Sequence, residues 1–440
     1  MDAAVSLDEA LAHIPDGARI VAAPGCAAPT TLLAGLGGLA RTRPGLHLYS
    51  GLQLDDQPFL PAVEHGDLAY STWHATGPSR PLIADGRAAF LPLRLSDVPA
   101  AIRRLQIDVA MLRVSRPDRD GRVSLGPSMS YSQAALDVAD VVLGEIDPAL
   151  PRTTGPTRVP VDRFTAMVAS ERPTPSYRSA RPDERARRIA ANLLELVPAA
   201  PTFQLGIGQV PEALAESLLE RRATGLRFIG LGVERLVDIA ESGLLADRVG
   251  PTPPVAVAEL MGGERLMRFA DDHPDIGVYP SEQAHDPGWL SARFDRLVSV
   301  NSAVEVDLLG QVNSEMVDGR QLSGVGGSAD FVDAARASHG GLSAIALTAS
   351  ARDGAVSRIV ARLGSGAVTT IPRHAIHLVV TEHGAADLRG LDVRQRAEAL
   401  IAIADEPHRG WLRAQLDGVD AYDAVGHESS DPSDGGSSRR

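Results

Sequence analysis

Between Ser299 and Phe331 the chain reads SVNSAVEVDLLGQVNSEMVDGRQLSGVGGSADF. This stretch concentrates residue types that can do chemistry: Asn301, the acids Glu305 and Asp307, the step Asn313–Ser314–Glu315, and the cluster Gly324–Val325–Gly326–Gly327. Glycines this dense let a backbone approach a ligand and turn its N–H groups toward it. A plain surface connection between two strands is the competing account. A second glycine loop, Gly206–Ile207–Gly208–Gln209–Val210, follows a strand pattern and opens a helix, where free amides and the helix dipole favour an anion. It fails as a dinucleotide fingerprint, because Pro211 stands where the third glycine belongs. Cys26 precedes another helix, a place that favours a thiolate, but no His or Asp lies near it, so a small buried residue is the simpler account. His374, His377, Glu382 and His383 are metal-ligand types in a strand pattern, AIHLVVTEHG. Residues three apart on a strand point to opposite faces, so no metal site is expected. The Gly-x-Ser-x-Gly elbow of serine hydrolases is missing.

Composition narrows the chemistry further. All 43 Lys+Arg residues are arginine. Without lysine there is no Walker P-loop, Schiff base or pyridoxal phosphate enzyme, and any phosphate must be met by arginine or backbone amides. A net charge of −13 argues against nucleic acid as a partner. The single cysteine excludes an intrachain disulfide. No run approaches the roughly 18 apolar residues of a membrane span, and the start, MDAAVSLDEALAHIPDG, lacks the basic and apolar regions of a signal peptide. The expectation is a cytoplasmic protein with no membrane partner.

These residues need elements to hold them, and 440 residues suffice for two or three domains. Ser6–His13 reads as a helix, Ala18–Ala23 as a buried strand, Pro24–Pro29 as a tight loop and Thr30–Leu39 as a helix. The order returns later: helix over Asp183–Leu196, strand Thr202–Leu205, the loop from Gly206 to Pro211, and helix Glu212–Arg221. A proline opens the second helix in both copies. The recurrence predicts two similar open-sheet α/β units. Further strands are expected at Leu46–Leu52, Ala89–Asp97, Asp108–Gly121 and Val141–Asp147, then at Arg227–Gly230, Pro254–Ala258, Leu297–Val300, Ser343–Ala346 and His377–Thr381. Helices are expected at Asp330–Ser338 and Arg394–Ala404. The Pro- and Arg-rich Glu171–Asp183 predicts a border near residue 178, giving domains 1–178 and 179–424 and a disordered tail 425–440.

Many of these segments together resemble one family, the acetyl-CoA hydrolase/transferases, a branch of the class I CoA-transferases that includes acetate and 4-hydroxybutyrate CoA-transferases. The similar segments include PLRLSDVPAAI, DVAMLRVSRPDRDGRVSLG, QLGIGQVPEAL, AELMGGERLMRF, SVNSAVEVDLLGQVNSE and GRQLSGVGGSADFVDAA. The resemblance implies two similar α/β domains of the CoA-transferase fold with the active site between them. It implies an acyl-CoA and a carboxylate as substrates, coenzyme A as substrate with no tightly bound cofactor, and a possible homodimer. It assigns CoA contacts to Gly206, Ile207, Gly208, Gln209, Val210, Asn301, Gly324, Gly326 and Gly327, and places Ser328 where the family usually has Gln.

In the family a glutamate attacks the acyl-CoA thioester, passing through an anhydride to a glutamyl-CoA thioester that a carboxylate or water then releases. The matching stretch here is GLRFIGLGVERLVDIAESGLL. Aligned without gaps, Gly230 takes the glutamate position, Phe228 the histidine position, and Glu234 falls four residues later. A four-residue deletion would make Glu234 the nucleophile. Otherwise a different acid such as Glu259, Glu282 or Glu305 activates water or abstracts a proton, or the chain binds acyl-CoA without catalysis.

Overall fold

The structure, a computed structural model, describes residues 4–54 and 57–416. The expected tail 425–440 lies outside the described residues. Two large sheets carry the fold. The first is built from β1 (Arg19–Ala22), β2 (His47–Ser50), β3 (Ala69–Thr72), β4 (Ala89–Phe90), β5 (Val109–Val114), β6 (Val141–Ile146) and β7 (Ala166–Ala169). The second comprises β8 (Thr202–Leu205), β9 (Arg227–Val233), β10 (Val255–Met261), β11 (Ile276–Val278), β12 (Leu297–Asn301), β13 (Leu342–Ala346), β14 (Leu378–Thr381) and β15 (Gly384–Asp387).

Strand order in the first sheet is β4-β3-β2-β1-β5-β6-β7, and in the second β11-β10-β9-β8-β12-β13-β14-β15. The seven-strand pattern is the same in both, with β15 added at one edge. Every ladder is parallel except β14–β15. Strands buried on both faces explain the largely apolar runs such as VAMLRV in β5, where every residue is buried, Arg113 included. The repeat read from the loops is therefore a repeat of whole topology.

Helices α1 (Leu7–Ala12), α2 (Thr30–Leu39), α3 (Glu184–Leu194), α4 (Gln209–Glu220), α5 (Arg235–Glu241), α6 (Glu264–Ala270), α7 (Ser328–Ala337) and α8 (Val393–Ala402) cover the faces. In α3, Ile189, Ala190 and Leu193 are buried and the arginines face outward, while Asp183 caps the start through Ala186 N–H at 2.8 Å. Several boundaries differ from expectation. Helix α4 begins at Gln209 rather than Glu212, so Gln209 and Val210 form its first turn and Pro211 sits inside that turn. Only Ala89–Phe90 of the expected strand Ala89–Asp97 is a strand, because Leu95 N–H donates instead to Gly326 O. Strands β9 and β10 run three residues further than expected, to Val233 and Met261.

A buried ion cluster closes the carboxyl end of the first sheet. Arg113, wholly buried, donates to Glu145 at 2.6 Å and Asp147 at 2.7 Å. Glu145 also accepts from Thr31 and Leu32 N–H at the start of α2. The segment joining the two halves straps across this end: Thr174 Oγ1 donates to Asp147, Tyr177 N–H to Gly262 O, and Arg181 O accepts from Gln209 Nε2.

Candidate active site

In parallel sheets, ligand sites gather beyond the carboxyl ends of the strands. β8 ends at Leu205, and Gly206, exposed Ile207 and Gly208 carry the chain into the twelve-residue α4. Gly208 has φ +123°, a conformation suited to glycine, and no side chain caps the helix. The N–H groups of Gln209 and Val210 are thus without an intrahelical partner, while Pro211 has no N–H and Glu212 N–H donates to Gly208 O. Next to this loop, at the end of β12, Asn301 donates to Gln204 Oε1 at 3.1 Å and to Ser299 Oγ at 2.8 Å. The fold thus brings Gly206–Val210 and Asn301 to one edge.

The glycine loop Gly324–Gly327 lies between the halves. A Cβ at Gly324 would overlap the Trp73 carbonyl, and one at Gly327 would stand 2.5 Å from His285 Nδ1. Gly326 has φ +63°, and its carbonyl accepts from Leu95 N–H at 3.1 Å. Arg80 Nε donates to Leu322 O at 2.6 Å. Ser328 begins α7, and two residues on, Asp330 accepts from Ser96 N–H at 3.2 Å and Ser96 Oγ at 2.8 Å. Burial pushes the Asp330 carboxyl up to about 7 against the pull of these Ser96 bonds and Arg94. Burial drives the His285 imidazole down to about 3, and its Nδ1 has no hydrogen-bond partner. His74, beside Gly324, falls to about 4 through burial and the charge of Arg80. Phe228, by contrast, is a core residue stacked on Phe203, and Cys26 is buried with Sγ 3.8 Å from Gly262 O.

The acids divide by environment. Gly230 sits at an irregularity in the β9–β10 ladder with φ +81°, and a Cβ there would come within 2.5 Å of the Phe331 ring. Glu234 stands at the junction of β9 and α5, and its Oε2 accepts from Gly263 N–H at 2.8 Å. Beyond Gly262 and Gly263 opens a cavity of about 750 Å³ between the halves, lined by Arg116, Arg152, Arg178 and Arg268 among others. Glu282 is held by Arg103 through two bonds of 2.8 and 3.1 Å. Glu305 accepts from Asn313 Nδ2 at 3.0 Å.

Glu259 differs from these. It is 7% exposed, lies on β10 opposite Leu231, and turns toward the first half, where a Cβ on Gly25 would be 3.3 Å from its Oε2. Burial pushes its carboxyl up to about 7, with the nearby Ser130 hydroxyl opposing. The Ser128 and Ser130 hydroxyls beside it are buried and off hydrogen-bonding geometry with any partner. These serines, Asp330 and His285 were not foreseen. The alternation Ser128-x-Ser130-x-Ser132 was the available signal, but it says nothing without the facing half.

The Acetyl-CoA hydrolase/transferase N-terminal domain profile matches residues 53–174, and the C-terminal domain profile matches residues 262–416. The chain is 31% identical over 414 residues to a 4-hydroxybutyrate coenzyme A transferase of Clostridium kluyveri, covering 93% of this chain and 96% of the relative. The crystal structure of RipA from Yersinia pestis superposes with TM-score 0.88 at 26% identity, covering 95% of this chain and 98% of that one. A 4-hydroxybutyrate CoA-transferase from Porphyromonas gingivalis gives TM-score 0.77 at 26% identity, over 95% and 98% of the two chains.

Proposed function

Because the chain belongs to the acetyl-CoA hydrolase/transferase family, we propose that it is a CoA-transferase or CoA-thioester hydrolase taking an acyl-CoA and a carboxylic acid as its substrate pair. The observation that carries this reading is the uncapped start of α4 after Gly206–Gly208, beside Asn301, at the carboxyl ends of β8 and β12. Amides free at a helix start suit the phosphates of CoA. The arginine-lined cavity beyond Gly263 supports the same ligand in a chain that has no lysine. Gly324, Gly326 and Gly327 are proposed to approach CoA from the seam. The border between the units is placed near residue 178, between the end of β7 at Ala169 and the start of α3 at Glu184. A cytoplasmic homodimer is the expected form.

In the transferase version Glu234 is the nucleophile. Its carboxylate stands at the end of β9, where Gly263 N–H orients it. A carboxylate suits the exchange because it returns a leaving group as reactive as the thioester it consumed. The hydrolase version, without a covalent intermediate, is favoured by Phe331 filling the space beside Gly230.

The test has two steps. CoA should raise the melting temperature, since at one hundred times Kd a native-state ligand adds about 2.7 kcal/mol. No shift at saturating CoA would sink the reading. Acyl-CoA followed by hydroxylamine should then leave a modified glutamate at position 234 if the transferase version holds, and an unmodified chain if the hydrolase version holds.

A further inference from the structure

This inference rests on the hydrolase version of that reading. At Gly230 there is no side chain, and Phe331 takes up the space in front of it. One strand over, about 4.8 Å away in a parallel ladder, Glu259 pairs with Leu231 and projects into the seam between the halves. Among the described residues no cation pairs with it. A Cβ on Gly25 would meet Ser128 Oγ at 3.0 Å and both Glu259 Oε2 and Met261 Sδ at 3.3 Å, and Ser128 pairs with Glu259 across the seam, so hydroxyl and carboxyl both face this glycine. Ser130, on the other side, is held at φ +36°, a conformation that costs a non-glycine residue energy. The second half fixes it: Met129 and Ser130 N–H donate to Ala258 O at 3.1 and 3.3 Å, Leu260 N–H donates to Pro127 O at 2.7 Å, and Ser281 N–H, beyond β11, donates to Ser130 O at 2.7 Å. The result is a carboxyl and two buried hydroxyls with spare hydrogen-bonding capacity at one place in the seam.

We infer that Glu259, with Ser128 and Ser130, holds and activates the water that hydrolyses the acyl-CoA thioester. The Glu259 carboxylate takes a proton from the water as its oxygen bonds to the thioester carbonyl carbon. The carbon–sulfur bond breaks, and the CoA thiolate leaves and receives that proton from Glu259. The products are the free acid and CoA thiol, and the glutamate ends ionised as it began. A base whose pKa sits near the working pH serves this step well, and burial supplies that condition here.

The deciding experiment is one turnover of an acyl-CoA in ¹⁸O-water with the unaltered chain. Direct attack by water puts the label in the released acid and none in the protein. A route through a glutamyl-CoA thioester instead leaves the label in a glutamate carboxyl and none in the acid, and that result overturns the inference. E259Q should lose hydrolysis by about 100-fold or more while CoA still raises its melting temperature, and E259D should recover part of the rate. Undiminished hydrolysis by E259Q, or no hydrolysis by a chain that binds CoA, also overturns the inference. If CoA fails to stabilise the unaltered chain, it is the broader CoA reading that falls.

Discussion

Glu259 carries a consequence for stability that is separate from chemistry. Its carboxyl titrates near 7 in the folded chain against an ordinary value of 4.5. Between those values the folded state binds the extra proton, so stability falls as pH rises through this window. A shift of this size corresponds to a loss of about 3 kcal/mol by pH 8. Asp330 acts in the same direction, while His285 and His74, held neutral by burial, act oppositely and lose stability as pH falls below 6.5. A glutamine carries no such proton. The stability of E259Q relative to wild type should therefore grow by about 2–3 kcal/mol from pH 5 to pH 8, read by urea unfolding, and a difference that stays constant would remove burial as the cause. At this scale the sequence was half legible. Gly206–Val210 and Asn301 follow local strand–glycine–helix grammar. Glu259 does not, because the apolar run of its strand ends at Ala258 and the extension is made by pairing with Leu231–Val233 of β9, with Pro127 O taking the Leu260 N–H from far along the chain.

Among the elements, β9 is the one whose shape decides the reading of the site. Its irregularity at Gly230 combines a positive φ with a ring pressed where a side chain would start. G230A should cost about 2–4 kcal/mol from left-handed strain and overlap together. F331A removes the ring and should cost about 3–5 kcal/mol by itself. The double variant should be less destabilised than the sum of the two, by 1 kcal/mol or more in a double-mutant cycle; strict additivity would mean that Phe331 does not confine this position. Helix and strand identities were mostly readable from periodicity, and α2 was read to the residue. The short strands Ala69–Thr72, Ala166–Ala169 and Ile276–Val278 were not, since each is too short to show a period and no glycine loop and helix follow it directly as they follow Thr202–Leu205.

For the whole molecule, the sequence revealed that something repeats but not the order of strands, which depends on pairings distant in sequence. The duplicated order of seven strands makes the halves alike, whereas the contacts at their carboxyl ends differ. Arg113, Glu145 and Asp147 tie the first sheet to α2 and to the strap. Replacing Arg113 with Met leaves two carboxylates buried without their cation and should cost about 3–5 kcal/mol. Denaturant unfolding measures that cost, and limited proteolysis should show the strap cut faster. Unchanged cleavage would mean the strap is fixed from the second half alone.

The loop Gly324–Gly327 belongs by sequence to the second half yet is seated on Trp73, Arg94 and Leu95 of the first. The site is therefore not a cassette that one half can carry away. A graft of either half from a relative has to bring the matching side of this seat with it. A chain nicked in the strap after folding should keep its two halves together, while the second half made alone should lack a formed Gly324–Gly327 loop.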